Sequence, residues 1–183
     1  MTTTQSIKKI IMLIILIATI TSCNQGLTLQ TYYVDNEMRP GFTSLDIPTS
    51  FLDVKKTDLT DEQIKAYESV DKLNMLGFLV NEDNLSQFEE EVAKVSTILK
   101  DPKYEEFIRG GNVSDGKFMI KFLGDPESLD ELVLFGYAKD KGFAIVRILG
   151  DDMSANNLVS LVSVIQEQDV SDQDFGQFFE FFQ

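Results

Sequence analysis

Residues 117–149 read KFMIKFLGDPESLDELVLFGYAKDKGFAIVRIL, and their period decides the fold. Lys117 to Leu123, Glu131 to Ala138 and Phe143 to Leu149 are rich in β-branched, aromatic and other apolar residues, the make-up of strands. Between them, Gly124-Asp125-Pro126 and Lys139-Asp140-Lys141-Gly142 carry the residues of tight turns. Strands joined by such short loops run antiparallel, because parallel neighbours need a long crossover. Just upstream, Tyr104 to Arg109 reads as a further strand, with Gly110-Gly111-Asn112 through Gly116 as the turn.

Before Tyr104 the period is mostly 3.6. Thr60 with Gln63 has the spacing of a capping box, and Ile64, Tyr67, Val70 and Leu73 continue one helical stripe. Met75 to Val80 is a short continuous apolar run, hence a buried strand. Asn84 with Gln87 caps the next helix, whose apolar positions Leu85, Phe88, Val92, Val95 and Leu99 alternate spacings of three and four. Asp101-Pro102 stops it. Further upstream, Phe42 to Ile47 alternates as a strand ended by Pro48, and a helical turn is expected at Ser50 to Val54. Downstream, Ser154 caps a helix with Leu158, Leu161, Val162 and Ile165 on one face. The expected fold is α+β: an antiparallel sheet of four to five strands with about three helices packed on one face, a two-layer sandwich.

The N-terminus settles the expected address. Lys8 and Lys9 precede an apolar run from Ile10 to Ile20, which ends in Thr21-Ser22-Cys23. A positive start, a short apolar stretch and small residues before a cut make a secretory signal. About 11 apolar residues give roughly 16 Å of helix, too short for a hydrocarbon layer of about 30 Å. A cysteine directly after the small pair resembles a bacterial lipobox, which implies lipid modification of Cys23 and cleavage before it. No acidic residue follows until Asp35, which leans towards an outer-membrane anchor facing the periplasm. The expected division is 1–22 signal peptide, 23–41 lipidated cysteine and flexible tether, 42–166 a single domain, and 167–183 an acidic Phe-rich tail.

Composition narrows the chemistry. Without residues 1–22 the chain keeps 14 Lys and Arg against 30 Asp and Glu, a formal charge of −16. Polyanions are poor partners for such a surface, so no nucleic-acid partner is expected. The 183 residues contain no histidine and one cysteine. Ser-His-Asp triads and His-ligated zinc, copper or haem are excluded within this chain. With Cys23 committed to lipid, there is no thiol nucleophile, iron–sulfur cluster or internal disulfide. No cofactor, metal site or catalytic residue is assigned.

Gly41-Phe42-Thr43-Ser44-Leu45-Asp46-Ile47, the strand Met75 to Val80, the helix ending at Lys100-Asp101, the run Glu131-Leu132-Val133-Leu134-Phe135-Gly136, and Ile145 to Asp151 followed by a helix together resemble the family called domain of unknown function 4252. The resemblance covers about Phe42 to Gln166. It implies a small bacterial envelope protein with a signal peptide or lipobox, and it carries no catalytic residues to transfer. The tail after Gln166 has no counterpart in it.

Paired carboxylates can hydrolyse glycosides when they face one another. Glu89-Glu90-Glu91, Glu105-Glu106 and Asp151-Asp152 are sequence neighbours that point different ways, which suits a solvated acidic face. Asp169, Asp172, Asp174 and Glu180 near Gly176 do not meet the spacing of a calcium loop. Gly110-Gly111 and Gly116-Lys117 lack phosphate-loop spacing and read as turn glycines. Arg147 alternates onto the face of Phe143, Ile145 and Leu149. Either that face is wet, or Arg147 snorkels out near the strand end, which is the simpler expectation.

In the tail, Phe175, Phe178, Phe179 and Phe182 follow helical spacing and form the candidate interaction surface. They suit packing on this domain or docking on a partner. The functional expectation is a lipid-anchored envelope domain that binds a protein or small ligand without catalysis. The alternatives are a carboxylate hydrolase of envelope glycan and a structural or regulatory envelope-stress lipoprotein.

Overall fold

The described residues build one six-stranded antiparallel sheet, in spatial order Phe42–Pro48 (β1), Val70–Leu79 (β2), Gly142–Met153 (β6), Ser128–Ala138 (β5), Gly116–Asp125 (β4) and Glu105–Asn112 (β3). The computed structural model describes residues 26–48, 59–112, 116–156 and 158. Within them run α1 (Leu29–Asn36), β1 (Phe42–Pro48), α2 (Asp61–Ser69), β2 (Val70–Leu79), α3 (Leu85–Ile98), β3 (Glu105–Asn112), β4 (Gly116–Asp125), β5 (Ser128–Ala138) and β6 (Gly142–Met153). A further helical turn starts at Ala155, where the Leu158 amide donates to the Ser154 carbonyl at 3.0 Å.

The turns and alternation of residues 104–149 give the meander β3 to β6, and β6 returns to pair with β2. Gly142 makes the β5–β6 connection possible. Its φ is +127°, and a Cβ there would stand 1.9 Å from the Phe78 carbonyl oxygen. Between β2 and β3 the chain crosses the sheet on α3. Four strand spacings of about 4.8 Å need roughly 19 Å, and the 14 residues of α3 supply about 21 Å. The helix length therefore fits the sheet it covers.

Two corrections follow from the topology. The sheet has six strands, not four to five, because β1 and β2 join the four-stranded meander through β6. The helices cover both faces, not one. Leu29, Tyr32 and Tyr33 of α1 and Phe88, Val95 and Ile98 of α3 pack with Leu76, Phe78, Phe143, Ile145, Val133 and Phe135. Ala66 of α2 and Leu158 pack with Met75, Val146, Ile148 and Phe122. In the register Leu76 pairs with Ile145, while Met75 pairs with Val146, so the two clusters lie on opposite faces. A strand buried on both sides loses its polar face and reads as a continuous apolar run. That is why Ala144 to Ile148 shows little alternation beyond Arg147.

Local boundaries also shift. The capping box at Thr60 is present: Gln63 N donates to the Thr60 hydroxyl at 3.3 Å, and Thr60 N donates to Gln63 Oε1 at 2.8 Å. The helical stripe does not continue through Val70 and Leu73, which already belong to β2. The Asn84–Gln87 capping box does not form. Asn84 Oδ1 instead accepts from Asn81 N at 2.7 Å, and Asn84 Nδ2 donates to the Leu79 carbonyl at 2.9 Å, closing the turn before α3.

The stretch expected as a flexible tether, 23–41, contains α1. Thr28 and Thr31 form a reciprocal capping box, and Leu29, Tyr32, Tyr33 and Asn36 are buried. Its burial uses two tyrosines and a single leucine, too few apolar positions to register as a period. The helical turn expected at Ser50 to Val54 lies outside the described residues. So do Cys23, Phe175, Phe178, Phe179, Phe182 and the acids from Asp169 to Glu180.

Candidate functional site

The most polar part of the interior lies between α1 and the sheet face beneath it. Register places Asp46 of β1 opposite Asn74 of β2, Asn74 opposite Arg147 of β6, and Arg147 opposite Val133 of β5. This row crosses the middle of a face that is otherwise aromatic and aliphatic. Helix α1 supplies its upper partners.

Arg147 neither faces water nor snorkels out. It is 4% exposed, its Nε donates to Glu131 Oε1 at 2.6 Å, and its Nη1 donates to Gln30 Oε1 at 2.6 Å. A buried guanidinium without partners would be prohibitively costly, so the pair forms with both charges enclosed. Beside it, burial raises the Tyr104 hydroxyl pKa from 10.0 to about 12, helped by the Glu131 charge. Lys121 Nζ donates to the Tyr104 carbonyl at 3.1 Å.

Tyr33 closes a second node. Its hydroxyl donates to Asp46 Oδ1 at 2.7 Å and lies 3.2 Å from the Met75 carbonyl, and Asn74 Nδ2 donates to the same Asp46 oxygen. Desolvation, with the hydrogen bond to Asp46, pushes the Tyr33 pKa well above the usual phenol value. The third node joins α1 to α3. Tyr32 donates to Glu91 Oε2 at 2.8 Å, Lys94 Nζ donates to Glu91 Oε1 at 2.8 Å, and Arg39 stands 3.8 Å from that oxygen. The Tyr32 pKa rises strongly through desolvation and then the Glu91 bond. Asn36 Nδ2 donates to the Tyr32 carbonyl at 2.6 Å, and Arg39 donates to Asn36 Oδ1 at 2.7 Å.

The acidic candidates therefore separate. Glu91 is enclosed and bonded, against the expectation of a uniformly solvated acidic face. Glu89 stays at the surface, 3.7 Å from Lys139, and Glu106 pairs with Arg109 on exposed β3. Asp152 accepts from Ser128 at 2.6 Å. The bonds of Asp46, Glu91 and Glu131 run to cations, phenols and an amide rather than to another carboxylate. Such an arrangement ties α1 to the sheet and to α3. Gly111 and Gly116 have φ of +86° and +109° beside the β3–β4 turn, as expected of turn glycines.

Sequence reading missed Gln30, Tyr32, Tyr33, Asp46 and Asn74 as a group. The signals present are the Tyr32-Tyr33 pair in an otherwise polar segment, and Arg147 inside an apolar strand. Among the described residues, no cluster of three or more His, Cys, Asp or Glu is placed to hold a metal.

A cleft of about 720 Å³ opens between the start of α1 and the C-terminal half of α3, lined by Gly26, Leu27, Glu90, Lys94, Thr97 and Lys100 among others. Its mouth is open, with Leu27, Ala93, Ile98 and Pro102 in its lining beside Glu90, Lys94, Lys100 and Asp101. No curated protein and no solved structure matches the chain. One family model does match, over residues 33–161, and includes Tyr33, Asp46, Asn74, Glu91, Glu131 and Arg147. The chain belongs to the family described as Domain of unknown function (DUF4252).

Proposed function

We propose that this protein is a lipid-anchored envelope domain with a non-catalytic binding role, held through Cys23 on the outer membrane and facing the periplasm. The observation that carries this reading is Cys23 directly after Thr21-Ser22 at the end of the apolar run; the bonds Gln30–Arg147, Tyr32–Glu91 and Tyr33–Asp46 tie the helix that follows it to the domain. From Cys23 to Leu29 the chain reaches at most about 20 Å. A lipid on Cys23 would therefore hold the whole domain against the bilayer surface, with α1 and the neighbouring cleft on the membrane-proximal side. A partner or ligand taken there would be presented at a defined height. The absence of histidine and the charge-compensated interior carboxylates favour binding over hydrolysis.

The test is to express the full chain and its Cys23→Ser variant, label with radioactive palmitate and fractionate the envelope. The wild type is expected to take up label and remain with membranes, and the variant to lose both. Unchanged membrane attachment of the variant overturns anchoring at Cys23. For binding, a photo-reactive group at Thr97 in intact envelopes is expected to yield a reproducible adduct that Lys100→Glu, a change in the cleft lining outside the Glu91 node, abolishes. An adduct pattern identical to one obtained from Lys72 overturns the cleft as the docking site.

A further inference from the structure

On the face of α2 and Leu158, the sheet continues beyond its cover. Ile108, Ile120 and Leu134 stand opposite one another on β3, β4 and β5. Phe118 lies beside them, its ring over Gly110, where a Cβ would meet that ring at 2.6 Å. Ile108 is 47% exposed and Phe118 42%, whereas Phe122, two residues along β4 from Ile120, is buried with Leu158. An aliphatic and aromatic stripe therefore begins where the cluster around Leu158 ends. Contiguous exposed apolar surface of this kind marks a docking site.

We propose that this stripe is the seat of the chain's own C-terminal segment, residues 159–183, which docks there through Phe175, Phe178, Phe179 and Phe182. Three observations select that occupant. Leu158 leaves the described structure on this face, in the same cluster as Phe122. Ile120 is about 7 Å from Phe122 along the strand, and β3 lies about 5 Å further across. The residues between Leu158 and Phe175 reach about 25 Å as a helix and about 55 Å when extended, which covers the distance either way.

The four phenylalanines fall at helical i, i+3, i+4, i+7 spacing, one apolar stripe to lay on another. A tethered segment also competes at an effective concentration of about millimolar, which favours it over the tail of a second copy. The acids Asp169, Asp172, Asp174 and Glu180 disfavour an anionic membrane surface as the alternative seat.

Cross-linking the full chain in a Cys23→Ser background tests this. With a short thiol cross-linker, the Ile108→Cys, Gln177→Cys pair is expected to close within one chain, and the Lys72→Cys, Gln177→Cys pair to stay open. A second variant, Phe178→Asp with Phe179→Asp, is expected to speed amide exchange across β3 and β4 by about tenfold while leaving β2 and β6 unchanged. Cross-links that join chains of different isotopic mass would place a second copy on the stripe and overturn the proposal. So would equal cross-linking of the two pairs, or unchanged exchange in the Asp variant.

Discussion

Arg147 and Glu131 meet across adjacent strands of the sheet interior, Nε to Oε1 at 2.6 Å, with Arg147 4% and Glu131 7% exposed. They are diagonal neighbours: Arg147 lies opposite Val133 and Glu131 opposite Leu149. The second guanidinium arm reaches Gln30 of α1, so this pair ties a helix to the sheet.

Removing one partner leaves an enclosed charge. Arg147→Leu or Glu131→Leu alone is expected to cost about 3–5 kcal/mol, whereas the double replacement recovers most of that loss. Urea unfolding of the four members of the cycle measures it. Additive losses would show that the pair is not coupled.

Tyr32→Phe removes a phenol donor from the buried Glu91 and should destabilise by about 1–3 kcal/mol, whereas Tyr33→Phe removes one from the exposed Asp46 and should cost less, about 0.5–1.5 kcal/mol. Because both phenols lie on α1, amide exchange in Leu29–Asn36 should accelerate more than exchange in β5 or β6. Equal acceleration everywhere would mean that α1 opens only with the whole domain.

A chain beginning at Tyr33 would match the start of the family model yet lack Leu29, Gln30 and Tyr32. Loss of the buried Leu29 alone is worth about 1.5–3 kcal/mol, and Arg147 and Glu91 each lose a partner. Thermal unfolding should fall well below that of a chain beginning at Gly26. Equal midpoints would refute a structural role for the first turn of α1.

At high pH the buried phenols work against the fold. Tyr104 ionises at 10.0 when unfolded and at about 12 when folded, and Tyr32 and Tyr33 are raised further through burial. The folded state then holds protons that the unfolded chain releases, so stability falls as pH rises. The contribution is intact below pH 10.0, diminishes between there and about 12 for Tyr104, and continues to fall above that for the other two. Denaturant midpoints against pH, alongside tyrosinate absorbance, follow it. The Tyr104→Phe variant should show a shallower decline in that window.

Gly142→Ala should destabilise by several kcal/mol, beyond the roughly 1–3 kcal/mol typical of one strained backbone position. The added Cβ would also be driven against the Phe78 carbonyl at 1.9 Å. Gly26→Ala, with nothing within 4 Å, serves as the control and should be near neutral.

Much of this was readable in order of locality. Residues 104–149 carry their own turns, so the antiparallel meander followed from Gly124-Asp125-Pro126 and Lys139-Asp140-Lys141-Gly142 without reference to the rest of the chain. The Thr60 capping box and the α3 stripe are likewise written within a few residues, because each depends on contacts one helical turn apart. Composition excluded histidine chemistry for the same reason: it needs no geometry.

What the tertiary structure alone decided depends on partners far apart in the chain. The pairing of β6 with β2, which makes six strands of one sheet, joins residues some seventy positions apart, and short-range period carries no signal for it. Helices on both faces were hidden because a doubly covered strand loses its alternation. Arg147 looked like an exception near a strand end until Glu131 and Gln30 arrived from β5 and α1 to enclose it. The Tyr32-Tyr33 segment passed for a linker because its anchoring comes from Glu91 and Asp46, hydrogen-bond partners that only folding brings within reach.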